Sequence, residues 1–350
     1  MNPLPIGSRW LGDGHPCFIA FEVGPTLTGF GSAMELLTVA KAAGADALKV
    51  QVLDADRLVG DPALEVGWTE ANGTVWHGPL CDILRRRALT DEQWATLAHA
   101  THAAGLAFIA TVDFRETLAL AVKIGADAIK VCSGDVNNAE WIAEVARAGL
   151  PVMLDTGHAT LGEVERAVDA CLAAGSDRVV IHVNPSGYPG RLESINLRLL
   201  PTLWRVFPEL VIGFSDHNVG RDMDAMAVAL GAAMIEKTLT LDRAQAGPEH
   251  MFSLEPYEAA GFVQAMRELE VALGRPRRVL TDAERVARRA ARRSPFTTRA
   301  LVAGERVGDD DIEWRRPAGG IEPPDWPLLK GRRVVRDLSA GQMLRVEDLA

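Results

Sequence analysis

The sequence has few cysteines, no long apolar run and no recognisable secretion signal. Its four cysteines (Cys17, Cys81, Cys132 and Cys171) are scattered and form no CxxC pair, which argues against a disulfide framework. No apolar run reaches the roughly 18 residues that a membrane span requires. The opening residues MNPLPIGSRWLGDG lack the charged start and apolar core of a signal peptide. These absences predict a cytoplasmic protein with reduced thiols and no membrane partner.

An excess of positive charge is also lacking. The 350 residues contain 37 Lys and Arg against 47 Asp and Glu, for a net charge of −10. This balance argues against a general nucleic-acid-binding protein. A small anionic substrate stays compatible with it, because a local cationic pocket can lie inside an acidic protein. The hydrophobic share of 48% and the charged share of 24% are those of an ordinary globular protein with one large domain or two.

One pattern recurs along the chain. GADALKV spans 44–50, GADAIKV spans 125–131, and a looser copy, GAAMIEK, spans 231–237. Each copy is typical of a helix end, a glycine turn and a buried strand. A charge at the end of a buried strand costs free energy unless another group compensates it, so the charged residues of this pattern are candidates for a functional site.

The same order of helix, turn and strand repeats through most of the chain. A helix is predicted from about Ser32 to Ala43, and a second helix is predicted with Thr90 as N-cap and Gly105 as C-terminal stop. Together with an opening strand, CFIAFEV, the pattern gives eight strands. They are predicted at about 17–23, 45–51, 106–112, 127–132, 151–155, 178–183, 210–215 and 233–238.

Eight strand–helix units over about 275 residues predict a TIM barrel. A doubly wound open sheet is the alternative for alternating strands and helices, but no GxGxxG follows the first strand. We predict a barrel at 1–275, an arginine-rich linker or surface arm at 276–298, and a small β-rich domain at 299–350. Within the small domain, LVAGERVGDDDI resembles LSAGQMLRVEDL, which indicates two copies of one unit. A domain of this size buries little core, so we expect it to dock on the barrel or on a second subunit.

Polar residues follow the predicted strands, at the end of a TIM barrel that carries the active site. Lys49, Lys130 and Lys237 each stand at a strand end, so we expect their ammonium groups to converge on one mouth. Such a site suits a phosphate and a carboxylate. The other polar residues at strand ends are Glu22, Gln51, Thr111, Ser133, Asp135, Asp155, Thr156, His182, Asn184, Ser215, Asp216, His217, Glu236 and Thr238.

Several histidines are candidates for chemistry. His217, in FSDHN, fits a metal ligand, a general base or a hydrogen-bonded structural group, and the pattern alone does not choose among them. His182 and His158 also follow strands, so the site is expected to hold several imidazoles. His250 either closes over a substrate or simply lies on its loop. His99 and His102 fit a helix surface.

Several segments resemble the sialic acid synthase family, the bacterial N-acetylneuraminate, legionaminate and pseudaminate synthases. The resemblance covers nearly the whole chain, and the tail from Arg299 resembles the antifreeze-like (SAF) domain that these synthases carry. The segments are GADALKVQ, LTDEQWATLAHATHAAGLAFIATVDF, IKVCSGDVNN, PVMLDTGHATLGEVERAV, GFSDHNVG, LGAAMIEKTLTLD and GPEHMFSLEP.

The resemblance implies a TIM barrel fused to an SAF domain. It implies a transferase of carbohydrate biosynthesis that joins phosphoenolpyruvate to an acylated amino sugar, giving a 2-keto sugar acid and phosphate. A divalent metal, usually manganese or magnesium, would polarise the sugar carbonyl. It also implies a domain-swapped homodimer in which each small domain reaches over the partner's barrel.

The resemblance also implies roles for individual residues. Glu22, Asp135 and His217 would be catalytic, with Asp135 in place of a glutamate. Gln51 would lie near the substrate, and Arg299 would reach the sugar site of a neighbouring subunit. The phosphoenolpyruvate site would consist of Lys49, Thr111, Lys130, Ser133, Asn184 and Ser215.

Three departures from the family leave the metal site open. The family's second metal histidine, in EKH, is Thr238 here, and the usual serine of STG is Asp155. The GxNHxG segment after the first strand is GPTLTGFG. Asp155 and Glu236 would restore a magnesium or manganese site with His217. Alternatively, the enzyme works without metal, uses another acceptor or does retro-aldol (lyase) chemistry, or the protein binds sugar phosphates without catalysis.

Overall fold

The protein folds into two compact units, Met1–Leu273 and Gly274–Ala350. The computed structural model describes residues 1–70 and 73–350. In the first unit, eight parallel strands close into a barrel in chain order, and the last strand pairs with the first. The predicted TIM barrel is therefore confirmed. Its strands are β1 (Phe18–Glu22), β2 (Ala47–Val52), β3 (Ala107–Val112), β4 (Ala128–Val131), β5 (Val152–Asp155), β6 (Val179–Val183), β7 (Val211–Asp216) and β8 (Met234–Thr238).

Helices follow the strands and surround the barrel. The predicted cap at Thr90 is present, since its hydroxyl accepts from the amide of Gln93 and the Gln93 side chain accepts from the Thr90 amide. Gly105 follows that helix with φ +81°, a conformation that suits glycine. The helices of the first unit are Phe30–Ala43, Ala55–Leu58, Leu80–Arg85, Asp91–Ala103, Arg115–Lys123, Ala139–Arg147, Leu161–Ala173, Leu192–Ile195, Leu199–Val206, Asp222–Ala229 and Pro256–Leu273.

The barrel wall separates two cores, because successive strand residues point to opposite faces. Outward residues such as Leu48 and Ile129 pack against the helices. Inward residues such as Ala47 and Met234 fill the lower interior. The next inward position on β2 is Lys49 and on β8 is Glu236, so the interior changes from apolar to polar toward the C-terminal strand ends.

An N-terminal hairpin, Leu4–Ile6 paired with Arg9–Leu11, lies at the opposite end of the barrel. Its apolar side chains Leu4, Ile6 and Leu11 are buried and belong to the same cluster as the lower interior. They fill the N-terminal end of the barrel. A second hairpin, Glu65–Thr69 with Val75–Pro79, is inserted after β2.

The second unit contains the helices Asp282–Ala291 and Trp326–Leu329 and the strand pair Ser294–Thr297 and Ile312–Arg315. The two sequence copies pair through their first leucines. The amide of Leu301 donates to the carbonyl of Leu338 at 2.9 Å, and the amide of Leu338 donates back at 2.9 Å. A small apolar core around Trp326 and Leu344 holds the unit together. No helix among the described residues has the length and apolar character to cross a bilayer.

Candidate active site

A small cavity opens at the C-terminal ends of the barrel strands. Ten of the polar residues predicted at the strand ends line it, from seven different strands or the turns that follow them. The structure therefore gathers most of the predicted residues at one mouth. The cavity is lined by Glu22, Pro25, Lys49, Gln51, Thr111, Lys130, Cys132, Ser133, Asp155, Tyr188, His217, Glu236, Thr238 and Glu249.

Lys130 lies between two carboxylates in this mouth. Its Nζ is 2.7 Å from Glu236 Oε1 and 2.8 Å from Asp155 Oδ2. Burial alone would lower the pKa of Lys130, but the two carboxylates outweigh it and raise that pKa. Burial would likewise raise the pKa of Asp155 and Glu236, and the nearby ammonium group instead holds both low. All three groups are therefore charged near neutral pH.

Lys49 forms the second ion pair of the mouth. Its ammonium group contacts the carboxylate of Glu22 and lies 3.2 Å from Glu236 Oε1. Burial lowers the pKa of Lys49 to about 8, and Lys130 adds to this shift by repulsion. Glu236 thus bridges the two lysines, and Ser215 donates to it as well at 3.1 Å.

Three carboxylates and two ammonium groups meet in this cluster, which gives it a formal charge of −1. The members are Glu22, Asp155 and Glu236 against Lys49 and Lys130. All five side chains are buried. An unbalanced charge in a buried site is costly, so the cluster favours an additional cation.

Several buried polar atoms around the cluster have no hydrogen-bond partner in the protein. Buried polar atoms are normally paired, so unpaired ones at a cavity indicate a place for a polar ligand. His182 is fully buried, with Nδ1 3.5 Å from Asp155 Oδ1 and 3.7 Å from Glu236 Oε2. The unpaired atoms at this end of the barrel are Thr111 Oγ1, Asp155 Oδ1, Nδ1 and Nε2 of His182, and His217 Nδ1.

His217 lines the mouth and packs against two aromatic rings. The ring centre of Tyr188 is 4.7 Å from that of the imidazole, and the ring centre of Phe252 is 5.9 Å away. The His217 carbonyl accepts from the amide of Gly190 at 2.9 Å. Burial lowers the pKa of His217 to about 4, with a further contribution from Lys130. The imidazole is therefore neutral at pH 7 and offers an unpaired nitrogen.

The prediction that Lys237 joins the other two lysines was wrong. Lys237 is buried between the barrel and its helices, where it contacts Asp216 and lies 3.3 Å from Asp224 Oδ2. The physical reason is strand register. Five residues after the turn glycine stand Lys49, Lys130 and Glu236, so the inward position in the third copy is a glutamate, and its neighbour faces outward.

Two further predicted residues support the wall of the mouth. Asn184 accepts from the amide of Thr156 at 2.8 Å, and Ser215 is hydrogen-bonded to Glu236. Arg299 belongs to the second unit, where it forms ion pairs with Glu305 and Asp311 at 2.7 Å.

Asp135 forms a separate group beside the cavity. Its carboxylate accepts from Cys132 Sγ at 3.1 Å. Within the described residues, Asp113, Cys132 and Asp135 have ligand atoms that all lie within 4.8 Å of one another, which is close enough for one metal ion. Burial, and then the charge of Asp135, raises the pKa of Asp113 to about 6 and that of Cys132 to about 12. The predicted trio of His217, Asp155 and Glu236 stays a prediction.

The remaining histidines do not line the cavity. His158 is exposed. His250 is neither a cover for the mouth nor an exposed loop residue, because it is buried and its Nδ1 lies 2.7 Å from Thr240 Oγ1. His102 pairs with Asp127 at 2.9 Å on the surface, as its helix position predicted.

The sequence analysis missed Tyr188 and Glu249, which line the cavity from loops after β6 and β8. Glu249 is buried, and Arg87 Nη1 lies 3.9 Å from its Oε1. Burial raises the pKa of Glu249. The signals were a tyrosine and a glutamate a few residues beyond a strand end, but loop residues carry no periodicity that shows where they point.

The sequence of the barrel identifies its relatives. Residues 36–278 match the model of the NeuB family. The chain belongs to the NeuB family. Residues 292–350 match the SAF domain, as predicted from the tail. The family match covers most of the barrel, including all of the strand ends from β2 onward.

NeuB-family relatives of this chain include several named synthases. The chain is 32% identical to the N,N'-diacetyllegionaminic acid synthase of Legionella pneumophila, over 98% of this chain and 97% of that protein. It is 30% identical to the human N-acetylneuraminate-9-phosphate synthase, over 79% of this chain and 76% of that protein. The resemblance stated from the sequence motifs is therefore confirmed at the family level.

Solved structures of NeuB-family relatives have the same fold. The spore coat polysaccharide biosynthesis protein SpsE of Bacillus subtilis matches with a TM-score of 0.67 and 29% identity, over 99% of both chains. The N-acetylneuraminic acid synthetase of Leptospira borgpetersenii, in complex with citrate, matches with a TM-score of 0.73 and 26% identity, over 82% of this chain and 95% of that one.

Proposed function

We propose that this protein joins phosphoenolpyruvate to an acylamino sugar aldehyde, giving a 2-keto sugar acid and phosphate. The observation that carries the proposal is the buried cluster in which Lys49 and Lys130 face a cavity with unpaired polar atoms. Lysine ammonium groups bind phosphate and carboxylate, the two anionic groups of phosphoenolpyruvate. The named relatives that make legionaminic and neuraminic acids support the same substrate class.

The reaction forms one carbon–carbon bond and one carbon–oxygen bond to water, and it breaks the carbon–oxygen bond to phosphate. The methylene carbon of phosphoenolpyruvate attacks the sugar aldehyde, whose oxygen ends with one of the two protons of the consumed water. Water adds to the cationic carbon, and the phosphate leaves with its bridging oxygen and the second proton, so that a 2-keto group remains. We propose that Lys49 and Lys130 hold the phosphate and carboxylate, that Thr111 and Ser133 donate to them, and that Glu22 accepts a proton from the water.

The donor atoms of the mouth have the chemistry that suits a divalent metal, although among the described residues only Asp113, Cys132 and Asp135 bring three ligand atoms within 4.8 Å of one another. Asp155 Oδ1 and His217 Nδ1 are buried and unpaired at the same cavity, and carboxylate oxygen with neutral imidazole suits manganese or magnesium. A divalent cation would also change the formal charge of the cluster from −1 to +1, which favours an anionic substrate. We propose that Asp155, Glu236 and His217 hold it. A bound metal would polarise the sugar carbonyl as a Lewis acid.

The outer wall of the mouth favours a polar acceptor. Gln51, Tyr188 and Glu249 line it and offer amide, hydroxyl and carboxylate groups to the hydroxyls of a sugar. Thr238 also lines the cavity, at the position where the family resemblance implies a metal histidine. This observation favours a second candidate, which is an enzyme of the same scaffold with a different acceptor or with metal-independent chemistry. The homodimer, the reach of Arg299 into a neighbour's site and the cytoplasmic location stay predictions.

Phosphate release tests this function. Chelator-stripped protein is mixed with phosphoenolpyruvate and a panel of N-acylated and plain sugars, with and without manganese. We expect manganese-dependent release with an N-acylated sugar, and loss of release in Lys130→Met. Lys123→Met is the matched control, because Lys123 is exposed on a helix. No release with any sugar and metal would refute the synthase proposal, and release from a plain aldehyde without metal would favour the second candidate.

A further inference from the structure

Lys237 lies behind the barrel wall and is fully buried. Its ammonium group contacts the carboxylate of Asp216, donates to the carbonyl of Asn218 at 2.6 Å and lies 3.3 Å from Asp224 Oδ2. These three oxygens match the three donors of an ammonium group. Lys237 does not line the cavity, so its charge is directed at the protein and not at a ligand.

Two of the three contacts lie on either side of His217. Asp216 precedes it and Asn218 follows it in the chain. The Oδ1 atom of Asp216 also accepts from the backbone amide of Asn218 at 3.2 Å and from its side chain at 2.7 Å. Lys237 therefore ties together both ends of a three-residue turn, and His217 is the residue at the centre of this turn.

The imidazole of His217 depends on this turn for its position. Its Nδ1 has no hydrogen-bond partner in the protein, so no polar contact at that atom orients the ring. What remains is the packing against Tyr188 and Phe252 and the backbone bond from Gly190. A shift of the turn would therefore move the ring relative to the rest of the mouth.

A purely stabilising ion pair is the simpler explanation of these contacts. Buried ion pairs add little net stability compared with apolar residues of the same size, so stability alone is a weak reason for a fully buried lysine here. The Lys237 ammonium contacts the Asp216 carboxylate and donates to the Asn218 carbonyl at 2.6 Å, whereas Asp224 Oδ2 lies farther away, at 3.3 Å. The strongest contacts of Lys237 are thus those to the turn.

We propose that Lys237 is a positioning residue that fixes the Asp216–Asn218 turn from behind the barrel wall and so holds the His217 imidazole in the mouth. The consequence for catalysis rests on the proposed function, in which His217 faces the substrates. The structural part of the proposal stands independently of that function and has its own measurement.

The test compares Lys237→Met with Lys123→Met. Lys237→Met keeps the length of the side chain and removes its three donors. Lys123→Met is the matched control, because it makes the same change at an exposed lysine on a barrel helix. The first readout is the reactivity of His217 toward diethyl pyrocarbonate, followed by mass spectrometry, together with the imidazole NMR signals of the protein. We expect at least a threefold change in His217 reactivity in Lys237→Met and no change in Lys123→Met.

The second readout is kinetic. Small misplacements of a reacting group cost about 100-fold in rate, so we expect kcat to fall about 10- to 100-fold in Lys237→Met. The KM for phosphoenolpyruvate should stay within about twofold, because Lys49 and Lys130 are untouched. Lys237→Arg, which can still donate to the turn, should recover part of the rate.

The two proposals fail separately. If the wild-type protein releases no phosphate, the proposed function fails, while the reactivity and NMR readouts still test the role of Lys237. A folded Lys237→Met protein with unchanged His217 reactivity and signals would overturn the positioning role. If Lys237→Met does not fold, Asp216→Asn replaces it, since this change weakens the same contact with no change in volume. Unchanged His217 reactivity in a folded Asp216→Asn protein would equally overturn the role.

Discussion

Glu236 and Lys237 are consecutive residues of β8, yet their charged groups lie on opposite sides of the barrel wall. Glu236 bridges Lys49 and Lys130 inside the mouth. Lys237 contacts Asp216 and Asn218 in the layer between barrel and helices. The strand β8 thus supplies both the carboxylate that pairs with Lys49 and Lys130 and the lysine that supports the His217 turn. Variants of each residue can be tested separately.

Removing the Lys130 ammonium should destabilise the protein strongly. In Lys130→Met, the buried Asp155 would lose its cation, and Glu236 would keep only Lys49. Breaking one side of a buried ion pair costs about 3–5 kcal/mol of unfolding free energy. Urea unfolding of Lys130→Met and of the exposed control Lys123→Met measures the effect, and the control should stay within about 0.5 kcal/mol of wild type. A loss below about 1 kcal/mol in Lys130→Met would contradict the geometry of the cluster.

Charge balance predicts opposite effects of Asp155→Asn on two ligands. The change takes the cluster formally from −1 to neutral, so inorganic phosphate should bind more tightly to the metal-free variant than to metal-free wild type. The same change removes a proposed metal ligand, so manganese should bind at least 10-fold more weakly. Isothermal titration with each ion measures both affinities. Parallel changes in the two affinities would show that formal charge does not govern binding at this site.

His250 should make the protein less stable in acid. Burial, with a contribution from Arg87, lowers the pKa of this imidazole from 6.5 to about 4. Unfolding therefore takes up a proton as pH falls, and stability that is complete above pH 6.5 is lost progressively toward pH 4. The shift corresponds to about 3 kcal/mol.

His250→Gln keeps a partner for Thr240 and removes that titration. Between pH 7 and pH 4, its unfolding free energy should fall by about 2–3 kcal/mol less than that of wild type. Urea unfolding at both pH values measures the difference. His99→Gln removes an exposed imidazole and should leave the wild-type profile unchanged. Equal losses in His250→Gln and wild type would show that His250 is not the group responsible.

Gly213 should not tolerate a side chain, although its backbone is ordinary strand. A Cβ there would lie 2.8 Å from His182 Nε2 and 3.1 Å from Met234 Cβ, and still closer to His182 Cδ2. His182 is fully buried, so Gly213→Ala should cost about 1–3 kcal/mol by overpacking. Gly261→Ala is the control, since nothing lies near that position in its helix, and it should stabilise by about 0.5–1 kcal/mol. Thermal unfolding of both variants decides the matter, and a neutral Gly213→Ala would mean that the His182 ring can move aside.

The fold could be predicted because each barrel strand is a short apolar run between a glycine turn and a polar residue. Even the strand ends were placed within about two residues, since the last inward positions are charged or polar. Which charged side chains face the cavity was harder to predict from the sequence. Alternation is strict in a strand, so an error of one residue in aligning the third repeat moved Lys237 to the wrong face.

Sequence periodicity could not predict which loop residues line the cavity or which charged residues form ion pairs. Tyr188 and Glu249 enter the mouth from loops, where direction depends on tertiary packing. The sequence indicated lysines for an anion, and the structure adds that carboxylates already engage these lysines. The pairing of carboxylates with lysines depends on strands that are far apart in the chain, as in the pair of Lys130 with Glu236. Local sequence patterns therefore do not show it.

The filled lower end of the barrel imposes an order on binding and release. Leu4, Ile6 and Leu11 occupy that end, so a ligand at the lysine floor enters and leaves past the outer wall of Tyr188 and Glu249. A ligand held at that wall would cover the one held at the floor. Under the proposed function, we expect the anion to arrive first and leave last, and an excess of the outer ligand to slow turnover by trapping an incompletely loaded protein.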